Sequence, residues 1–295
     1  MRGTRPVPQR ASIPGVSARR AGRVQRGRPM DPTDIAWDLL VSGPADARQT
    51  VLLLPGGLNP ARSYTEVMAE PALARTRLVA ATLPGHCGTE PPDDFAIGTV
   101  ARHAARLADE QSTDVVVGFS MGATVALEMV ATGAFTGPTV LLGISLSPAD
   151  EPAFFRAVCR LGDVLGPLPA AALLKLMGPA SKGMRVSPER RAEVLDDLRS
   201  NDPRLVRRIF RGYLDHLGAH ARPAARLCAA GVPVWVVHAE KGDGGLTADE
   251  RRTLEACPHA NVVTIPGTSF FLPGEEPRRI AEIVVDALAA AGPPR

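Results

Sequence analysis

The chain has 295 residues, 45% of them apolar, with 34 basic and 31 acidic side chains for a net charge of +3. Eight of the arginines fall in the first thirty residues, between Arg2 and Arg28, with no acid among them. The remaining 26 bases face 31 acids, so composition gives no argument for a nucleic-acid surface. No stretch approaches the apolar length of a membrane span, and the four cysteines (Cys87, Cys159, Cys228, Cys257) lack metal or redox spacing.

Residues 1–30 are rich in Arg, Pro and Gly and carry no apolar period; they read as a disordered leader, with Met30 an alternative start. Ile35 to Val41 then reads as a strand, and Thr50 to Leu54 as a second, continuously apolar one, the pattern of a strand covered on both faces. A helical segment follows around Ser63 to Ala72, a strand at Arg77 to Leu83, a helix around Ile97 to Asp109 and a strand at Asp114 to Gly118. Helical character resumes from Ala123, and Thr139 to Leu146 is another apolar strand. From about Asp150 to Ala221 the strands stop, and Leu-, Ala- and Arg-rich helical segments are punctuated by Pro and Gly. Alternation returns with a strand at Val232 to His238, a helix at Thr247 to Cys257, a strand at Asn261 to Ile265 and a helix at Pro277 to Ala290.

The expected class is therefore α/β: a mostly parallel sheet flanked by helices, with a core of 31–149 and 222–295 and a helical lid inserted at 150–221. The lid would set substrate choice. Phe154, Phe155, Leu173, Leu174, Leu176 and Met177 are natural apolar walls for a pocket, or simply lid packing. The arginines from Arg185 to Arg211 read as solvated helix faces.

Four segments carry chemistry, each at the end of a predicted strand. Leu54-Pro55-Gly56-Gly57 lets backbone approach a reacting carbonyl closely. Leu83-Pro84-Gly85-His86-Cys87-Gly88 closes a strand. Gly118-Phe119-Ser120-Met121-Gly122 is a G-x-S-x-G turn between an apolar strand and a helix, in which small neighbours let the serine stand above the sheet edge. Val234 to Asp243 ends a late strand with an acid. Together and in this order they resemble the α/β-hydrolase superfamily over roughly Ile35 to Ala290. The resemblance implies Ser120 as nucleophile, the N–H groups of Gly57 and Met121 as an oxyanion hole, and Asp243 as the acid. Gly242-Asp243-Gly244-Gly245 reads equally as a plain turn, and Glu240 is a poorer acid.

The family's histidine follows the last strand. Here that segment is Ile265-Pro266-Gly267-Thr268-Ser269-Phe270-Phe271-Leu272-Pro273, which puts Phe270 in the histidine slot; a shift of one residue offers Ser269. No histidine lies beyond His259, which precedes the strand. Phenylalanine can neither take the serine proton nor return it, so the usual base is missing. His86 and His238, at strand ends, and His216, four residues before His220 in the lid, are possible substrate contacts or substitute bases. The His216–His220 spacing also suits a metal pair, but with no third ligand evident in the sequence none is assigned. The reading is a serine-dependent hydrolase or acyl-transfer enzyme acting on a small apolar ester or thioester, with a degenerate triad. Alternatives are a non-hydrolytic ligand-binding pseudoenzyme, or a lyase, isomerase or cyclase in the same pocket. No cofactor is implied. The expected partner is a small-molecule substrate or ligand, with neither nucleic acid nor membrane, in the cytoplasm.

Overall fold

A computed structural model of the chain describes residues 17–20, 35–241, 245–269 and 271–292, with side chains undescribed at 17–20, 177–180, 182 and 268. Among the described residues, eight strands form one sheet: β1 (Ser17–Arg20), β2 (Asp38–Ser42), β3 (Thr50–Leu54), β4 (Arg77–Thr82), β5 (Val115–Phe119), β6 (Thr139–Leu142), β7 (Val234–Lys241) and β8 (Ala260–Thr268). Their order is β1-β2-β4-β3-β5-β6-β7-β8. β1 and β2, and β2 and β4, pair antiparallel; every pair from β4 to β8 is parallel. β3 lies between β4 and β5, so the chain turns outward on one side of it and then on the other. The crevice at that reversal, above the strands' C-terminal ends, is where open parallel sheets place ligands.

β3, β5 and β6 are buried along their whole length, as their Val- and Leu-rich sequences favour. The cover is helical. The helix α3 (Met121–Ala131) packs on β3, β5 and β6, flanked by α2 (Ile97–Glu110) and α8 (Pro223–Ala229), with α9 (Ala248–Glu255) next to α8. A second group, α1 (Thr65–Met68), α10 (Leu272–Glu275) and α11 (Pro277–Ala290), packs together, and α11 contacts β5, β6 and β7.

Several elements differ from the sequence expectation. Ser17–Arg20, inside the segment read as disordered, adds an edge strand to β2; this needs only backbone groups, which composition does not reveal. The helix expected around Ser63 to Ala72 is broken into a 3₁₀ turn (Ala61–Tyr64), α1 and a second 3₁₀ turn (Pro71–Leu73), because Pro71 cannot continue a helix. β6 stops at Leu142 instead of Leu146, since Gly143 turns at φ 55°. Ile144 and Leu146 stay fully buried beyond it, so the apolar run marked depth rather than strand.

Between β6 and β7, before α8, stand α4 (Ala153–Leu165), α5 (Leu168–Ala180), α6 (Pro188–Arg199) and α7 (Pro203–Ala219). Polar contacts fasten this layer to the body. Arg190 on α6, expected on a solvated face, is only 12% exposed and bonds Glu66 of α1 at 2.6 Å. The guanidinium of Arg62 pairs with the buried carboxylate of Asp197. The apolar residues proposed as pocket walls divide: Leu174 is buried, Phe155 and Leu173 pack on the core, and Phe155 meets Phe210 edge-on at 4.8 Å. Phe154 and Leu176 face outward at 64% and 65% exposure. The side chain of Met177 lies outside the described residues.

Candidate functional site

β5 delivers the chain to Ser120, which sits as the N-cap of α3 with φ 49° and ψ −116°. A non-glycine residue in this region is strained, and it persists only where the surroundings fix it. They do. The Ser120 N–H donates to Leu142 O at 2.8 Å, and Ser120 O accepts from Ala123 and Thr124 N–H at 2.8 and 3.1 Å. A Cβ at Gly118 would lie 2.3 Å from Gly122 O, and one at Gly122 would lie 2.2 Å from Leu54 O. Both glycines are thus required by close backbone approach, and the second jams the start of α3 against the end of β3. Ser120 is half-buried, and among the described residues nothing hydrogen-bonds its Oγ.

Gly56 and Gly57 follow β3 directly. A Cβ at Gly57 would come within 3.1 Å of Met121 Cε, so the two backbone segments proposed as oxyanion donors are neighbours. As the first residue of α3, Met121 has an N–H with no intrahelical acceptor, and the Gly57 N–H has none among the described residues. Helix N-termini leave such N–H groups unpaired and able to face negative charge.

Sequence reasoning missed the residue that holds this turn. Asn201, in the α6–α7 junction, is 4% exposed and donates to Leu58 O at 3.0 Å, while its Oδ1 accepts from the Cys87 N–H at 2.8 Å. The Cys87 thiol also donates to Leu58 O at 3.2 Å. Leu58 and Cys87 both have positive φ, 63° and 49°. One lid asparagine therefore clamps the two strained loops that border the crevice. Its only sequence signal, an Asn before Asp202-Pro203, reads locally as a helix cap, a role the structure gives to Asp202. A second buried network joins lid and sheet: Ser145 Oγ and Tyr213 Oη each donate to Glu151 Oε1 at 2.7 Å. Burial and the adjacent carboxylate hold the Tyr213 hydroxyl well above its usual pKa, so it stays a donor.

The histidines scatter. His86 is 3% exposed; its Nδ1 bonds Pro84 O at 3.0 Å, and its Nε2 is buried with no partner among the described residues. Since a carbonyl only accepts, Nδ1 carries the proton and Nε2 presents a lone pair. Desolvation lowers its pKa to about 4, so the ring is neutral near pH 7. β4, which leads into the loop of His86, is separated from β5 by β3, a lateral strand spacing of ~10 Å at ~4.8 Å per strand. His238 lies in the same sheet row as Ser120, but β6 intervenes, again ~10 Å. His259 is exposed at the opposite end of the sheet, where its carbonyl accepts from Val234 N–H at 2.8 Å.

His216 stands elsewhere, with Nε2 3.9 Å from Glu128 Oε2 and its ring 4.9 Å from that of His220. Glu128 lies eight residues past Ser120 on α3, ~12 Å along the helix, too far for His216 to touch the serine. Burial lowers the pKa of His216 to about 4. Glu128 is the third group that chain order did not reveal; a single acid in the apolar run Ala123 to Val130 was its one signal.

Asp243 and Phe270 lie outside the described residues. Around them, Glu240 is exposed and accepts from Gly267 N–H at 3.0 Å. Ser269 is buried with its Oγ unpartnered among the described residues, and Phe271 is buried against Phe119 at 6.1 Å, edge to face. The segment after β8 thus reaches the residue before Ser120.

A model of a family described as "Alpha/beta hydrolase family" matches residues 51–283. Among solved structures, a thermophilic esterase from Thermogutta terrifontis, with malate bound, aligns over 89% of this chain and 96% of its own, with a TM-score of 0.69 and 19% identity. An N-acyl homoserine lactonase complexed with N-hexanoyl homoserine aligns over 89% and 96%, with a TM-score of 0.69 and 14% identity. The thioesterase domain from the curacin biosynthetic pathway aligns over 85% and 95%, with a TM-score of 0.63 and 19% identity. At these identities the likeness is one of fold. No curated protein sequence matches the chain.

Proposed function

The chain belongs to the alpha/beta hydrolase family, and from that premise we propose that it is a serine-dependent hydrolase or acyl-transfer enzyme acting on a small apolar ester or thioester. The observation that supports it is the strained backbone of Ser120 at the N-terminus of α3, fixed there by the close backbone approach at Gly118 and Gly122. In this reading Ser120 Oγ attacks the carbonyl, the two N–H groups hold the oxyanion, and Asp243, in the loop after β7, is the acid. The triad is degenerate, with Phe270 in the histidine slot. The buried Nε2 of His86, without a hydrogen-bond partner among the described residues, supports a role in contacting substrate or in accepting a proton from it. Without a base on Ser120, turnover is expected to be slow; in the subtilisin series that loss costs about 10⁶-fold.

A fluorophosphonate probe tests the reading. Stoichiometric labelling that disappears in Ser120→Ala supports an activated serine; no labelling overturns it. The offset of His216 from Ser120, ~12 Å along α3, together with Phe270 in the histidine slot, favours one second reading, a ligand-binding protein that has lost hydrolysis. Phe270→His separates the two. If p-nitrophenyl acetate hydrolysis is undetectable in the natural chain and appears only in that variant, the natural chain is the non-hydrolytic form.

A further inference from the structure

The cluster on the far half of α3 is independent of how Ser120 works. One ligand atom each of Glu128, His216 and His220 lies within 4.8 Å of the others, and all three residues are half-buried or deeper. The two histidines come from the end of α7, four residues apart, and Glu128 comes from α3. Arg226 of α8 reaches into the same point: its Nη1 bonds Glu128 Oε2 at 2.5 Å and His220 Nε2 at 3.4 Å. A guanidinium only donates, so the His220 Nε2 turned toward it presents a lone pair. Donor lone pairs from two helices therefore converge on a position already held by a cation. His216 also lines an open groove of about 530 Å³ in which Asp94 and Asp215 stand with Arg208 and Arg211, so the histidine is reachable from solvent.

We propose that Glu128, His216 and His220 bind a divalent transition ion of the zinc type in exchange for the Arg226 guanidinium. Two imidazoles and one carboxylate are a donor set suited to such ions, with the fourth position left to water. A tetrahedral ion with bonds of ~2.1 Å holds its ligand atoms ~3.4 Å apart, so closure asks for shifts of about 1 Å. The Arg226 side chain is 25% exposed and can withdraw to solvent. Bound there, the ion ties the nucleophile helix to the end of the lid. At ~12 Å from Ser120 along α3 it takes no part in bond making.

The test uses untagged, chelator-stripped full chain titrated with Zn²⁺ and with Co²⁺. One ion per chain is expected, with visible d–d bands for Co²⁺. Affinity should fall at least about 10-fold in His216→Ala and in His220→Ala, and rise about 10-fold in Arg226→Met, which removes the competing cation. If His216→Ala fails to fold, the His220→Ala result carries the test. Binding that is equal in wild type and the histidine variants overturns the proposal. So does binding seen only after Arg226→Met, which would mean that the arginine permanently fills the site.

Discussion

Ser120 concentrates the chemistry of this chain into one unfavourable backbone conformation. Its φ of 49° with ψ of −116° is open to glycine and costly for serine. Ser120→Gly is therefore expected to raise unfolding free energy by about 1–2 kcal/mol in urea titrations while abolishing probe labelling. The flanking glycines predict the opposite. Gly122→Ala puts a methyl 2.2 Å from Leu54 O, where only backbone can yield, and should lower stability by more than about 2 kcal/mol in the same titration. The pentapeptide was legible because tiny residues around a serine leave a strong local trace. The base was not, because a proton acceptor is defined by distance to Ser120, and each of the six histidines reads alike in a linear chain.

At the scale of elements, the crevice is built by joints between layers. Asn201 bonds Leu58 O and the Cys87 N–H, fixing two positive-φ loops from one lid position. Asn201→Ala leaves the Cys87 N–H unpaired and Leu58 O with only the Cys87 thiol, so a loss of about 1–3 kcal/mol is expected, with slower probe labelling because Gly57 adjoins the loosened Leu58. A variant that loses stability and labels at the wild-type rate would make Asn201 purely structural. Arg190 and Glu66 join α6 to α1 in the same manner, and Arg190→Met should raise amide exchange in α6 before any other helix. Most strands and long helices were legible from apolar runs and periodicity. The joints were not: Asn201 lies 114 residues from Cys87, and nothing near either residue announces the other.

For the whole molecule, burial of His86 links folding to pH. Its pKa is about 4 when folded, against an ordinary 6.5, so between those values the unfolded chain binds the extra proton. Stability from this group is complete above about pH 6.5 and is lost as pH falls toward 4, by on the order of 3 kcal/mol. Urea midpoints at pH 7, 5.5 and 4.5 should decline, with His216, lowered to about 4 by burial as well, contributing alongside; His86→Gln should reduce that slope, and an unchanged slope would assign the decline to His216 and other groups. The sequence by itself determined the α/β class, the strand-end motifs and the mounting of Ser120, because hydrophobic period and glycine-bounded turns act over a few residues. Only the tertiary structure decided which polar groups share a neighbourhood. Sheet order set His86 and His238 two strands away from Ser120, and helix packing brought Glu128 beside His216 and His220. Those distances follow from how layers stack, and that stacking is fixed by the buried surface of the entire chain.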